Sequence, residues 1–573
     1  MNRLSNIDRS YTGRSYWMRT ASLPSFAPLS RAAEADAAVI GGGIVGLSTA
    51  WELARAGLRV IVLEADRLAG GVTGHTTGKL TALHTAVYDT LWSEHGEDAA
   101  RRYATSQSAA LRHVIEVVGE LGLDCEVERR PALTYCQEPE GVEALRAEAE
   151  AARAAGLDAS FVTETGLPFP VAGAVRVEDQ AQFHPLKYLR GLADDIVALG
   201  GLIHEGTRVT ELDGGEPCRL TTDSGVTVSA RHVVVATHHP VFDRSVLATR
   251  LTQHRDLVIA GSLPAHRDPE GMFITEEGGK RSVRTSPLGD GSRLLIVTGE
   301  AFTPGEGEDT EAGYARLQGW TEQHFPDVAI THRWAAQDNS ATDTLPLIGA
   351  MPGGGGSVYV AAGFAGWGMT GGVLAGTIIA SLVKGGDEPW GGLYSPGRFG
   401  SALRSAPALL KAQWDVGKHF VKDRQDTLGD GTGGPVRSLR PGEGTVVRVG
   451  GKPCAVHRDD RGGLHAVSAV CTHLGCLVAF NNAERTWECP CHGSRFAIDG
   501  EILQGPALHA LERQDPEELW PAPAGAEEDG PAGLNRDGPA AGSADPRLHD
   551  GAPGHDGAPG QAAAQVIAPA TAV

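Results

Sequence analysis

The chain has 573 residues, 41% of them hydrophobic, and its 71 acidic against 50 basic side chains give a formal net charge of -21. That length implies several domains and that apolar content implies globular folding, while the acidic balance without a Lys/Arg cluster argues against a nucleic-acid partner. No apolar run of about 18 residues is present to span a membrane, and no signal segment precedes the first strand, so a cytoplasmic location is expected.

Residues 1–34 read as an extension ahead of the first core element. Ala37 to Ile40 form a short apolar strand that runs into Gly41-Gly-Gly43-Ile44-Val45-Gly46. An Ala/Leu-rich helix then reaches about Arg55, and a second strand, Val60 to Leu63, ends at Glu64. Strand, glycine turn, helix, strand and acid stand in the register of a dinucleotide-binding βαβ unit. Gly41 permits the tight turn, and Gly43 lets the backbone approach a pyrophosphate at the helix N-terminus, which Ile44 and Val45 open. Gly46 lets helix and strand pack, and Glu64 stands where a carboxylate grips ribose hydroxyls. The plainer reading is a glycine-rich turn beside a surface Glu. FAD and NAD share this fingerprint, so other segments must choose between them.

Five such segments follow. They are Gly70-Gly-Val-Thr73-Gly74-His75-Thr76-Thr77-Gly78-Lys79, Gly206-Thr-Arg-Val209, Val233-Val-Val-Ala236-Thr237, Asp343-Thr-Leu-Pro346-Leu-Ile-Gly349, and Ala361-Ala-Gly363-Phe364-Ala-Gly366-Trp367-Gly368-Met369. In this order they resemble the D-amino-acid oxidase and glycine oxidase superfamily, with His238 standing where a Gly is usual. The resemblance implies FAD, bound by a Rossmann-like α/β domain within residues 35–400. It also implies a discontinuous mixed-sheet substrate domain, drawn from about residues 85–180 and 240–335. Flavin contacts are then expected from Thr73, Gly74, Thr76, Thr77, Val209 and Ala236, and from Gly363, Phe364, Gly366, Gly368 and Met369. His75, Lys79, Asp343 and Trp367 are catalytic candidates by position, each with a structural alternative. Lys79 is either a cation beside the flavin or a solvent-facing side chain.

Residues 401–434 form a connection. Leu403, Leu410, Trp414 and Phe420 recur near a helical period among Arg404, Lys411, Lys418 and Lys422. Such a basic amphipathic helix is compatible with peripheral membrane contact, but its interrupted apolar face favours packing on the preceding domain. The Gly-rich run Leu428 to Pro435 reads as a flexible hinge.

Two boxes come next, Cys471-Thr-His473-Leu-Gly-Cys476 and Cys489-Pro-Cys491-His492-Gly-Ser494. One Cys and one His per box is the pattern of a [2Fe–2S] centre in which two thiolates hold one iron and two neutral imidazoles the other. Zinc also takes two Cys and two His, but in finger order and without the extra cysteines. The boxes resemble the respiratory type of Rieske domain, an all-β module over residues 435–522, with Arg440-Pro-Gly-Glu-Gly opening it and Gly505-Pro506-Ala507 as its proline loop. The resemblance implies Cys471 and Cys489 on one iron and His473 and His492 on the other. It further implies a Cys476–Cys491 disulfide clamping the loops, against the cytoplasmic expectation, and a Ser494 hydroxyl bonded to a cluster sulfur. Phe496 replaces the Tyr of the respiratory proteins, which implies a lower potential. Cys125, Cys136, Cys218 and Cys454 show no ligand spacing and read as buried thiols. Residues 523–573, rich in Ala, Gly, Pro and Asp, read as a disordered tail.

An FAD domain joined to a Rieske domain implies an oxidoreductase. A small amine or amino acid gives hydride to flavin, and electrons leave singly through the cluster to a one-electron redox partner. The alternatives are a reductase fed through the cluster, or a redox relay or sensor without a substrate of its own.

Overall fold

The apolar runs Val60–Leu63, 233–235 and Val358–Ala362 carry too little polar periodicity for an exposed face, and they are buried in a parallel sheet. The computed structural model describes residues 13–242, 247–275, 277–398 and 434–520. The expected amphipathic helix at 401–424, most of the hinge and the tail at 523–573 lie outside the described residues. The last hinge residues begin a one-turn helix, Gly434–Arg437. Among the described residues no helix is long and apolar enough to cross a membrane.

The first sheet runs Leu347–Ala350, Val358–Ala362, Thr227–Val235, Ala33–Ile40, Val60–Leu63, Leu202–His204, with the strands Val209–Asp213 and Cys218–Thr222 attached beside Thr227–Val235. Strand alternation sorts its side chains. Ala37 and Val39 join the helices Ile44–Arg55, Pro185–Ala198 and Gly368–Val383 in one apolar cluster, while Ala38 and Ile40 join the attached hairpin in another. The helices Ile44–Arg55 and Gly368–Val383 approach closely because Gly376 faces Ser48, where an added Cβ would stand 2.7 Å from the serine Cβ.

The second sheet is mixed. Ala329–Ala341, Leu251–Leu263, Arg293–Phe302, Arg281–Pro287, Met272–Thr275, Glu128–Cys136, Gly173–Gln182 and Lys79–Leu80 lie in that order, with Ala159–Val162 beside Gly173–Gln182. Met272–Thr275 runs parallel to Glu128–Cys136, which brings the two discontinuous stretches of chain together. The N-terminal extension is also part of this body. Trp17, on the helix Tyr16–Thr20, is fully buried and its indole donates to the Thr76 carbonyl at 2.6 Å.

The C-terminal module has two four-stranded antiparallel sheets. One is Gly444–Val449, Lys452–Arg458, Leu464–Ser468, Arg513–Gln514 and the other Ala479–Asn481, Thr486–Glu488, Arg495–Phe496, Ile502–Gln504. The second sheet docks on the mixed sheet. Arg255, with 1% of its side chain exposed, reaches across to Glu484 at 2.5 Å and to Glu488, and Arg495 pairs with the same two carboxylates at 2.7 and 3.2 Å. Around this set, the Thr310 hydroxyl shares its one hydrogen between the side-chain oxygens of Asn481 and Asn482, and Ala483 packs in one apolar cluster with Leu257, Phe302 and Tyr314.

Burial alone would raise the Glu484 carboxyl, but Arg255 and Arg495 outweigh it and hold the group below its usual value. A depressed carboxylate stabilises the fold above the ordinary Glu range of about 4.3, and the contribution is lost as pH falls through the depressed value. Arg255→Met leaves two buried carboxylates to share Arg495, so stability should drop by about 3–5 kcal/mol. Chemical denaturation, with hydrogen exchange at Thr486–Phe496, checks this; an unchanged midpoint and unchanged protection would refute the lock.

Candidate active site and metal centre

A cavity opens between the two sheets and is lined from both. At one end the βαβ unit presents Gly41, Gly43, Ile44, Val45 and Glu64. Gly41 has φ of +106°, and a Cβ there would stand 2.6 Å from the Ala236 carbonyl oxygen, so only glycine fits both the turn and the approach. No side chain caps the helix Ile44–Arg55 at Gly43, nor the helix Gly368–Val383 at Trp367. The Ile44 amide donates instead to Thr73 Oγ1 at 3.1 Å, and the two helix N-termini bring their positive dipole ends to one cavity, suiting an anionic cofactor. The Glu64 carboxylate is raised by burial and lowered by the amides of Asp66 and Gly42 that donate to it, at 2.9 and 2.6 Å.

Of the other expected flavin contacts, Thr73, Thr76, Thr77, Val209 and Ala236 line the cavity, as do Phe364, Gly366, Gly368 and Met369. Gly46, Gly74 and Gly363 do not. A Cβ on Gly46 would collide with the Gly41 carbonyl, and one on Gly74 with that of Ala69, so both serve close backbone packing. Gly363 donates its amide to Asn339 Oδ1 at 2.7 Å. Asn339 Nδ2 donates to the His238 carbonyl at 2.8 Å, and Asp338 Oδ2 accepts from the Gly366 amide at 2.5 Å. This Asp338–Asn339 pair, which sequence reasoning passed over, braces the turn at 363–366.

The four catalytic candidates separate. Lys79 is buried, not solvent-facing, and lines the cavity; its Nζ donates to the Phe273 carbonyl at 2.8 Å and to Ser282 Oγ at 2.6 Å. Burial, then Arg284 and Lys280, drive its amine well below the usual lysine range. Trp367 forms a cavity wall and stacks at 4.7 Å on the buried His84. His75 lies outside the cavity lining, with its ring nitrogens on the Gly71 and Gly13 carbonyls. Asp343 also lies outside it, paired with Arg250 at 3.2 Å and Arg398 at 2.8 Å. Both are braces.

Leu503, Gln504, Gly505, Ala507 and Leu508, from the C-terminal module, line the same cavity. Behind them stand the two Cys/His boxes. Each box turns on a left-handed glycine, Gly475 at φ +78° and Gly493 at φ +73°, and the Gly475 and Gly493 amides donate to the Cys471 and Cys489 carbonyls at 3.0 Å. Cys476 and Cys491 are joined in a disulfide, and the Cys489 thiol lies within 4.8 Å of its sulfurs. Cys471 and Cys489 are buried free thiols. The Cys471 thiol is lowered to about 7, first by its hydrogen bond with Cys489, against burial and with help from the His473 amide and the Ser494 hydroxyl. Burial, with His473 beside it, lowers His492 to about 4, and burial lowers His473 too, so both imidazoles are neutral. The Nδ1 of His492 is buried with no partner among the described residues. The Cys489 thiol is pushed the other way, well above the usual range, by sharing that hydrogen bond with Cys471 and by burial, so without the irons the pair holds one proton between them. Two adjacent buried thiols, two neutral imidazoles and an orphaned ring nitrogen are the donor set a [2Fe–2S] cluster requires. Cys125, Cys136, Cys218 and Cys454 are buried free thiols, as expected.

Residues 36–382 match the FAD dependent oxidoreductase family, and residues 433–515 match the Rieske [2Fe-2S] domain. The chain belongs to the FAD dependent oxidoreductase family. Its FAD dependent oxidoreductase domain binds FAD and its Rieske domain binds a [2Fe–2S] cluster. Over its whole architecture it is similar to YhfW of Bacillus subtilis (strain 168), named as a Rieske 2Fe-2S iron-sulfur protein, at 34% identity over 87% of this chain and 97% of that one. The first domain is similar to gamma-glutamylputrescine oxidoreductase of Escherichia coli (strain K12), at 27% identity over 64% of this chain and 88% of that one. In fold it is similar to glycine oxidase from Geobacillus kaustophilus, with TM-score 0.53 and 20% identity over 64% of this chain and 99% of that one.

Within the Rieske domain Ser494 is fully buried and Phe496 is fully buried without a hydroxyl. Phe496→Tyr should add a donor toward the cluster and raise its midpoint potential. A redox titration followed by electron paramagnetic resonance reads the shift; an unchanged or lowered potential would mean that this ring does not tune the cluster.

Proposed function

We propose that this oxidoreductase dehydrogenates a small amine or amino acid and passes the electrons, one at a time, through the Rieske domain to an external one-electron acceptor. The observation that carries the reading is the shared cavity, since residues of the cluster-bearing module line the same space as the dinucleotide fingerprint. The amine relative from Escherichia coli supports the substrate class.

When bound, FAD takes the hydride as two electrons and the cluster transfers them singly. The balance is one C–H hydride and one N–H proton lost from the amine, an imine formed, two protons released and two external acceptors each reduced by one electron. Hydride can leave only from a neutral amine, because an ammonium has no lone pair to form the C=N bond. Lys79 fits this need. Burial drives its amine toward the neutral form, in which both N–H groups go to Phe273 and Ser282 and a lone pair is left to take a proton from the substrate ammonium. The Trp367 ring closes one wall and Lys280 and Asp256, 3.7 Å apart, give another wall its charge. On the outer side, His473 is half-buried and Leu474 beside it is 61% exposed, leaving an approach for the acceptor.

Under anaerobic conditions, one member of a panel of amines and amino acids should bleach the flavin and then raise a Rieske paramagnetic signal. If none does, while an electron donor protein reduces the cluster before the flavin, the current runs the other way and the proposal is refuted. In the wild type, flavin bleaching should accelerate as pH rises through the depressed Lys79 value. In Lys79→Met the rise should move up to the substrate amine's own pKa and the rate at neutral pH should fall about 10²-fold or more. Rapid-mixing absorbance across pH checks both.

A further inference from the structure

The strand Thr227–Val235 does not end in a plain loop. It turns through Ala236, Thr237 and His238, all of which line the cavity, and delivers His239 to the other side, against the cluster loops. His238 holds φ of +64°, a conformation that L side chains adopt at an energetic cost and that persists only where neighbours enforce it. They do so here. Thr237 Oγ1 donates to the His239 carbonyl at 2.6 Å, the His239 amide donates to the Thr237 carbonyl at 2.7 Å, and Asn339 holds the His238 carbonyl.

The His239 ring stands edge-to-face with both iron-binding imidazoles, 5.7 Å from His492 and 6.1 Å from His473 between centroids, each at 79°. His239 is buried, and neither ring nitrogen has a hydrogen-bond partner among the described residues. His492 beneath it retains only 7% exposure. An apolar ring would fill this space without leaving two polar atoms unmatched, so the imidazole calls for a role. Gln337 supports the same junction. It lines the cavity, and its amide donates to the Gly493 carbonyl at 2.9 Å, next to His492.

We propose that His239 is the positioning residue by which the FAD domain engages the cluster. It closes the distance between the cavity wall and both ligand imidazoles, and it sets the electronic surroundings of the histidine-bound iron. The inference rests on the flavin-to-cluster route proposed above. In that step the cluster gains one electron from reduced FAD, and no bond to His239 forms or breaks. A neighbour of a metal-bound imidazole alters its basicity and hence the potential and the spectrum of the iron it holds.

The test uses the full-length holoenzyme as wild type, His239→Leu and His239→Gln. The FAD is photoreduced in place with EDTA, without substrate, and the rate of cluster reduction is followed with the paramagnetic g-values and midpoint potential of the reduced cluster. His239→Leu is expected to shift the g-values and the potential and to slow cluster reduction at least tenfold. His239→Gln, which keeps a polar edge, is expected to lie between it and the wild type. Wild-type g-values, potential and rate in both variants would overturn the proposal. If His239→Leu loses its cluster, the glutamine variant decides by the same three readings. Because light reduces the flavin, failure of every amine would refute the dehydrogenase reading and leave this one standing.

Discussion

A guanidinium without access to water, such as that of Arg255, survives only where carboxylates meet it, since the cost of desolvating an unmatched charge exceeds most other terms in a fold. The carboxylates that meet Arg255 belong to the other domain. Glu484 and Glu488 are themselves buried, and Arg495 completes a neutral set of two cations and two anions. Separating the domains would strip Arg255 of both carboxylates and leave Glu484 and Glu488 to share Arg495 alone. The cluster loops are thus held over the cavity by the mixed sheet itself.

That fixation gives the cavity its double character. One wall has the features of a dinucleotide site, with Gly41, an acid at Glu64 and two helix starts. Another is the proline-loop region of the cluster module, Leu503 to Leu508. The strand Ala329–Ala341 serves both, because Asp338 and Asn339 brace the turn at 363–366 while Gln337 reaches the backbone beside His492. One strand thus touches both the turn at 363–366 and the backbone of the second Cys/His box.

Legibility in the sequence followed the range of each constraint. The βαβ unit and the two Cys/His boxes were readable because local geometry dictates them, through a left-handed glycine turn or ligands that must converge within one loop. The order of the flavin segments was readable by resemblance, and so was the mixed sheet, although its strands at Lys79–Leu80 and up to Ala341 extend past the expected stretches. Of the four candidates chosen by nearness, two lie outside the cavity lining, held there by distant partners. His75 is claimed by the carbonyl of Gly13, and Asp343 by Arg250 and Arg398. Trp17, Arg255 and His239 carry no local pattern at all, since their meaning lies in residues remote along the chain. Lys79 lines the cavity, and only the fold reveals that it is dry.

Gly493 carries two demands at once. It turns the second box in a left-handed conformation, and a Cβ on it would stand 2.4 Å from Gln337 Nε2, so the first domain touches the cluster loop through bare backbone. A Rieske domain transplanted here would need, besides its ligand motif and this glycine, an acidic pair to meet Arg255 and a surface to meet Thr310. The fit of the seam, and not the chemistry of the iron alone, thus sets which cluster module this first domain accepts.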